Sequence, residues 1–249
     1  MNFFNLLGIE LTIATYDEII KEVEQTIVSK RKFTFHNINS HILLGASKRE
    51  DFRRMLQRLD RCFLDGIGVY LAVKLLSFNI TALQRITGTD LYYKLIDYAI
   101  KNNRKVFFYG VNGLSSERIN LNLKSKFPML NIVGVKSDEG GMESDMIEAI
   151  NNAAADILFV GLGTPKQEEF VVRNSQFINC PVQVAVGSGI EYLAGIKRRA
   201  PKFMQALGLE WLFRLFIEPT RLWRRYLIGI PHFIWLILKQ KLNASDKIR

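Results

Sequence analysis

The chain has 249 residues, 48% of them hydrophobic, which is ample for a buried core in one large domain or in a domain with an appendage, and excludes a disordered chain. Two distant cysteines, Cys62 and Cys180, exclude a disulfide framework or a CxxC metal knot and read as buried thiols in a reducing compartment. The net charge of +10 resides almost wholly in the tail, where twelve basic residues stand against three acidic ones from Lys197 onward.

The opening stretch, MNFFNLLGIELTIATYDEII, lacks a basic n-region and is interrupted by Glu10 and Asp17. It resembles neither a secretory signal nor a transit peptide, so residence on the cytoplasmic side is expected. No segment reaches the ~18 to 20 apolar residues of a membrane span. The longest candidate, Tyr226 to Leu238, contains Pro231. Up to residue 195, short apolar runs alternate with helix-period segments, which predicts an α/β domain around a largely parallel sheet. Strands are expected at Leu6 to Ile13, Phe33 to Asn37, Arg61 to Leu64, Val106 to Tyr109, Ile132 to Val135, Ile157 to Val160 and Val182 to Val186. The helices expected between them are Tyr16 to Ser29, Ser40 to Ser47, Gly68 to Leu76, Asp90 to Lys101, Ser115 to Phe127, Met142 to Asn151 and Pro165 to Asn174. Thr15 and Thr89 are the expected N-caps, and Pro165 suits a first helical turn.

In parallel sheets, ligands sit beyond the carboxyl ends of the strands, where loops enter helix N-termini. Polar clusters fall at five such places: His36-Asn37-Ile38-Asn39, Asp65-Gly66, Gly110-Val111-Asn112-Gly113, the run GLGTPKQE from Gly161 to Glu168, and Gly187-Ser188-Gly189. Asp65-Gly66 is by itself a common turn signal. At the end of a strand Asp65 is also a candidate base, and both readings stand. GVNG and GLGTP carry glycines that let backbone amides approach a diphosphate ahead of a helix N-terminus, although neither is a GxGxxG or Walker loop. The three histidines, His36, His41 and His232, lack metal-ligand spacing, and no DxD pair is present, so no metal site is expected. The charge of a departing diphosphate would then fall to cations and backbone amides, for which Arg85 and Lys166 are available.

The tail, from Gly195 onward, interleaves three tryptophans and several phenylalanines and leucines with arginine. That composition suits helices lying in a membrane interface near anionic lipid. Nucleic acid is the less favoured partner, because the apolar content exceeds what a groove reader needs, and an oligomer interface is the blander alternative. The expected division is a catalytic unit over 1–195 and an appendage over 196–249, basic, amphipathic and helical.

In order, LDGIGV, RITGTDL, GLGTPKQEEF, VGSGIEYLAG and KRRAPKFMQALGLEWLFRLFIEPTRLWRRYL resemble the WecG/TagA/CpsF family of bacterial glycosyltransferases, family 26, over residues 33 to 235. The resemblance implies a Rossmann-like domain with a membrane-associating C-terminal appendage. It also implies inverting, metal-independent transfer of a sugar, N-acetylmannosamine or its uronic acid above all, from a UDP-sugar to a polyprenyl-diphosphate-linked saccharide. The pathway would be that of teichoic acid, common antigen, capsule or exopolysaccharide, at the inner membrane face.

By the same resemblance Asp65 is the base, Arg85 stabilises the leaving diphosphate, and Gln167 positions substrate. Asn37 and Asn39 fall on a Thr-x-Asn motif of the donor pocket, and Glu191 stands where a carboxylate accepts from ribose hydroxyls. Gly66, Gly110, Gly163, Lys166 and Gly187 complete the expected substrate-binding set. Arg214, Arg221, Arg224 and Arg225 are expected at the membrane or the acceptor diphosphate. Two departures stand out: Asn37 replaces the threonine, which bears on the donor sugar, and Leu64 replaces the proline usual before Asp-Gly. The rival readings are a nucleotide-dependent oxidoreductase, opposed by the missing GxGxxG, and a basic nucleic-acid-binding module.

Overall fold

The computed structural model describes residues 1–77, 83–110, 115–138 and 140–246. In chain order it contains β1 Asn2–Leu6, β2 Ile9–Ile13, α1 Tyr16–Ser29, β3 Phe33–Ile38, α2 Ser40–Lys48, α3 Glu50–Leu56, β4 Arg61–Leu64 and α4 Gly66–Leu76. Next come α5 Gly88–Lys101, β5 Lys105–Tyr109, α6 Ser116–Lys126, β6 Asn131–Lys136, α7 Glu143–Ala153, β7 Ile157–Val160, α8 Lys166–Asn174, β8 Val182–Ala185 and α9 Gly189–Leu193. The tail consists of α10 Lys202–Leu207, α11 Glu210–Ile217, α12 Pro219–Trp223, a π-helical stretch Arg224–Ile228, and α13 Gly229–Asp246.

Among the described residues, eight strands form one sheet in the order β1-β2-β4-β3-β8-β7-β5-β6. β1 and β2 pair antiparallel and the remaining neighbours are parallel, as the α/β pattern predicts. Successive strand residues point to opposite faces, and each face has its own core. Ile38, Leu64, Leu158 and Val160 belong to one; Phe35, Phe63, Phe159 and Val184 belong to the other. Burial on both faces is why these strands read as continuous apolar runs. The chain leaves β3 for β4 on one side and later fills β8, β7 and β5 on the other, so the crevice of the sheet opens at the carboxyl end of β3. There the polar pair His36 and Asn37 interrupts the apolar run at 3% and 2% exposure. Buried polar groups require partners, so this pair marks the centre of interest.

Three local expectations need correction. The single strand expected over Leu6 to Ile13 is a hairpin, because Leu7 and Gly8 both adopt positive φ, 52° and 83°, and fold β2 back on β1. That is the backbone sense favoured in two-residue hairpin loops, but leucine does not announce it. The N-cap of α5 is Thr87 rather than Thr89: the Thr87 hydroxyl accepts from the Asp90 N–H at 3.3 Å, and Thr89 lies inside the first turn. Pro165 occupies the cap position of α8, after a cis Thr164–Pro165 bond, and the helix begins at Lys166. Thr15 caps α1 as expected, in a reciprocal capping box with Glu18. Residues 111–113 of the GVNG loop lie outside the described residues.

The tail folds back on the α/β body. Phe233 and Ile237 of α13 are buried in the core cluster that holds Ile38 and Leu64. Farther along, the Gln240 side chain accepts from the Leu7 N–H and donates to the Asn5 carbonyl, both at 3.0 Å, and so clasps the β1–β2 turn. Pro231 lies inside this helix. A proline ring clashes with the carbonyl four residues earlier in a regular α-helix, and the wider π turn over Arg224–Ile228 sits where that carbonyl must give way. Among the described residues, no helix is long and apolar enough to cross a membrane.

Candidate active site

A cavity of about 770 Å³ opens beyond the carboxyl ends of β3, β4, β7 and β8, and the tail helices close its far wall. Asp65 stands on its floor. β4 ends at Leu64, the Asp65 N–H donates to the Ile38 carbonyl at 3.0 Å, and the Gly66 N–H donates to the Ile86 carbonyl at 3.0 Å. Gly66 turns at φ 78°, a conformation that L side chains rarely adopt, and this leaves the Asp65 carboxylate facing the cavity rather than capping α4. Its Oδ1 accepts from the Gly88 N–H at 2.7 Å. Burial raises the pKa of Asp65 above the ordinary aspartate value, while the Gly88 amide and the nearby Arg214 act the other way.

Behind Asp65 lies a buried polar network. His36 Nδ1 is 3.1 Å from Glu168 Oε1, with both side chains almost fully buried. Burial opposes the ionisation of Glu168, but the His36 imidazole and the Thr164 hydroxyl outweigh it and hold the carboxyl below its usual range. Gln167 Oε1 accepts from the Gly187 N–H at 2.7 Å, and its Nε2 donates to Glu168 Oε1 at 3.1 Å. Gln167 therefore ties the loop after β7 to the loop after β8. Asn37 differs: both atoms of its amide are buried without a protein partner, and the residue lines the cavity. It is the polar group of the floor that most needs a ligand.

The opposite wall is cationic. Arg214, Arg221 and Arg225 line the cavity from α11, α12 and the π turn. Arg221 pairs with Glu218, but among the described residues neither Arg214 nor Arg225 has a carboxylate at ion-pair distance. Arg214 lies over the Tyr192 ring at 4.9 Å. Arg225 reaches Asn39 Oδ1 at 3.5 Å, and its Nε is buried without a partner. Burial draws the Arg225 pKa below the ordinary arginine value. Two unmatched guanidinium groups in a cleft form a site for an anion.

The structure brings together Asp65, Arg85, Gln167, Asn37, Asn39, Gly66, Gly163, Gly187, Glu191, Arg214, Arg221 and Arg225 of the expected set. Several of them are already engaged. Arg85 donates to the Gln205 and Ala206 carbonyls at the end of α10, at 2.8 and 3.1 Å. Asn39 caps α2 through Oδ1, and Glu191 holds Lys197 Nζ at 2.8 Å. Gly110, Lys166 and Arg224 do not line the cavity. Gly110 serves close packing, since a Cβ there would lie 2.7 Å from the backbone of Gly161 and Leu162. Lys166 points outward, 3.8 Å from Asp138, and Arg224 is exposed over Trp223. Among the described residues, no three His, Cys, Asp or Glu side chains are grouped to hold a metal.

Sequence reasoning missed Gly88, which grips the base, and Arg199, which bridges Asp90 at 2.5 Å and Glu210 at 2.9 Å and so ties α11 to the start of α5. The pattern Thr87-x-x-Asp90 is a capping signature that could have pointed to Gly88. No local signal announces the His36–Glu168 pair, whose members are far apart in the chain.

A half-buried carboxylate facing unmatched arginines at the switch point of an α/β sheet makes a candidate active site suited to an anionic ligand. More specifically, the chain belongs to the glycosyl transferase WecG/TagA/CpsF family, whose family model matches residues 4–247. It is 30% identical over 249 residues to an N-acetylglucosaminyldiphosphoundecaprenol N-acetyl-beta-D-mannosaminyltransferase of Bacillus spizizenii, covering 99% of this chain and 93% of the relative. Proteins of the same name from Bacillus subtilis and Staphylococcus aureus are 29% and 26% identical, covering 84% and 95% of this chain and 80% and 92% of their own lengths. Family membership sets aside the oxidoreductase and nucleic-acid readings.

Proposed function

We propose that the protein transfers an N-acetylmannosaminyl group, or its uronic acid, from a UDP-sugar to a polyprenyl-diphosphate-linked saccharide. Transfer proceeds with inversion and without a metal, as a step in cell-surface polysaccharide synthesis. The observation that carries this reading is the pairing, across one cavity, of the half-buried carboxylate of Asp65 with the carboxylate-free cations Arg214 and Arg225. Asp65 takes the proton of the acceptor hydroxyl as that oxygen attacks the anomeric carbon. The bond from that carbon to the diphosphate oxygen breaks, and its electron pair leaves with UDP. A raised pKa brings Asp65 nearer the operating pH and improves it as a base. Arginines and backbone amides meet the charge that develops on the leaving diphosphate.

The protein works at the cytoplasmic membrane face as a peripheral enzyme, with residues 1–195 as the catalytic unit and 196–249 as the membrane contact. Exposed Phe203, Phe216, Trp223 and Trp235 on the tail support that contact. The test is incubation with UDP-N-acetylmannosamine and an N-acetylglucosaminyl-diphosphate-lipid, with product read by mass, with and without a chelator. A product of one added N-acetylhexosamine in both arms is expected. No product in either arm refutes the donor and acceptor assignment, and loss with chelator alone refutes metal independence.

A further inference from the structure

One wall of the cavity is not explained by a base, a sugar or a diphosphate. Leu71 and Leu75 project from α4 on one helical face, four residues apart, and are 53% and 39% exposed. Facing them, Ile230, Ile234 and Leu238 project from α13 at the same spacing, and the latter two are 52% and 48% exposed. All five line the same cavity as Asp65 and Arg225.

The two helices run side by side away from the strand ends. α4 starts at the Asp65-Gly66 turn. α13 comes after Arg225, which reaches Asn39 at the end of β3, then passes Phe233, whose ring lies 3.9 Å from where a Gly68 Cβ would stand. Farther on, its Gln240 reaches the β1–β2 turn, at the other end of the sheet. Ile230 to Leu238 spans about 12 Å of helix. At the strand ends the cavity thus presents a carboxylate and an unmatched guanidinium, and along the two helices an apolar trough.

We propose that this trough, between Leu71 and Leu75 of α4 and Ile234 and Leu238 of α13, binds the first isoprene units of the lipid-linked acceptor. The inference rests on the function proposed above and adds to it a seat for the hydrocarbon. The chemistries that share the cavity match the parts of such an acceptor: saccharide at the base, diphosphate at Arg225, chain in the trough. A soluble sugar acceptor would leave these leucines and isoleucines wet. A bilayer would meet the outward-facing Trp223 and Trp235 rather than a concave wall shared with the base.

The test is titration of the full-length protein with farnesyl diphosphate and with methyl diphosphate, which share a head group and differ in the chain. Farnesyl diphosphate should bind at least about tenfold more tightly, since each buried methylene contributes favourably. The double variant Leu71→Ser/Ile234→Ser should lose that difference while keeping its affinity for methyl diphosphate, which also reports that it is folded. Leu75→Trp, which fills the trough instead, should lose it as well. Equal affinity of the two probes for the unaltered protein, or an undiminished difference in the variants, overturns the proposal. So does a loss of sedimentation with phosphatidylglycerol vesicles as large as the loss of farnesyl diphosphate binding, because the trough is then a membrane contact. A protein that binds the probes as expected but transfers no sugar refutes the proposed function and leaves the trough standing. Equal KM values for acceptors with methyl and isoprenoid tails refute the trough and leave the function standing.

Discussion

The Gly88 amide donates to Asp65 Oδ1 at 2.7 Å, and this contact restrains the pKa that burial would otherwise raise further. A Cβ on Gly88 would lie 3.0 Å from the Tyr92 hydroxyl and 3.3 Å from Asn37 Cβ. Gly88→Ala should therefore push the amide off the carboxylate. With the donor weakened, the Asp65 pKa climbs, and the acid limb of the pH–rate profile should move to higher pH. A profile that keeps its position at lowered kcat would mean that the contact is not what tunes the base.

Asp65→Asn should lower kcat by about 10²- to 10⁴-fold, the usual worth of a positioned general base. UDP binding should persist, because the cationic wall of Arg214 and Arg225 is untouched. Near-native turnover would remove Asp65 from the chemistry.

The same substitution should stabilise the fold at neutral pH. Burial raises the folded-state pKa of Asp65 above its unfolded value, so the carboxylate ionises first in the unfolded chain. Stability from this group is complete below the unfolded value, about 4, and is lost as pH rises through the folded value. The Asp65→Asn variant should melt above the native protein at pH 7, and the gap should close as pH falls below about 4.

Arg199→Met should cost about 1 to 2 kcal/mol in denaturant unfolding, less than a fully buried ion pair, because Asp90 is 42% exposed while Glu210 is 17% exposed. Its second effect should be a raised donor KM, since the start of α5 loses its tie to Glu210 of the tail.

Trp223→Ser/Trp235→Ser should reduce sedimentation with anionic vesicles by roughly tenfold, because two exposed indoles suited to the interface are lost. Activity on a short, soluble acceptor should be spared. Unchanged vesicle binding would place the membrane contact elsewhere.

The α/β alternation, four of the five rim loops and the place of Asp65 at the cavity were legible in the sequence because each rests on local physics: period, turn chemistry and position at a strand's end. Thr87 was missed in favour of Thr89 although Asp90 stood at capping distance from Thr87 and only Tyr92 stood so from Thr89, so this cap was legible in local sequence. Lys166 looked available, but the helix that starts there turns it to Asp138 and turns Gln167 and Glu168 inward. The β1–β2 hairpin was hidden because Leu7 takes a conformation its side chain does not favour, and Gln240 near the far end of the chain helps to hold the turn. The engagement of Arg85 by α10 carbonyls was equally invisible, because those carbonyls come from residues 120 and 121 positions later.

The π turn over Arg224–Ile228 sets the phase of the helix beyond it. One residue advances an α-helix by about 100°, so the residue absorbed there decides which side of α13 meets the body. With it in place, Arg225 looks into the cleft while Phe233 and Ile237 enter the core and Ile234 and Leu238 border the trough. Deleting the exposed Leu227 from this turn would leave Arg225, Phe233, Ile234, Ile237 and Leu238 present and rotate the last four relative to Arg225, so that length, as much as composition, is encoded in this segment.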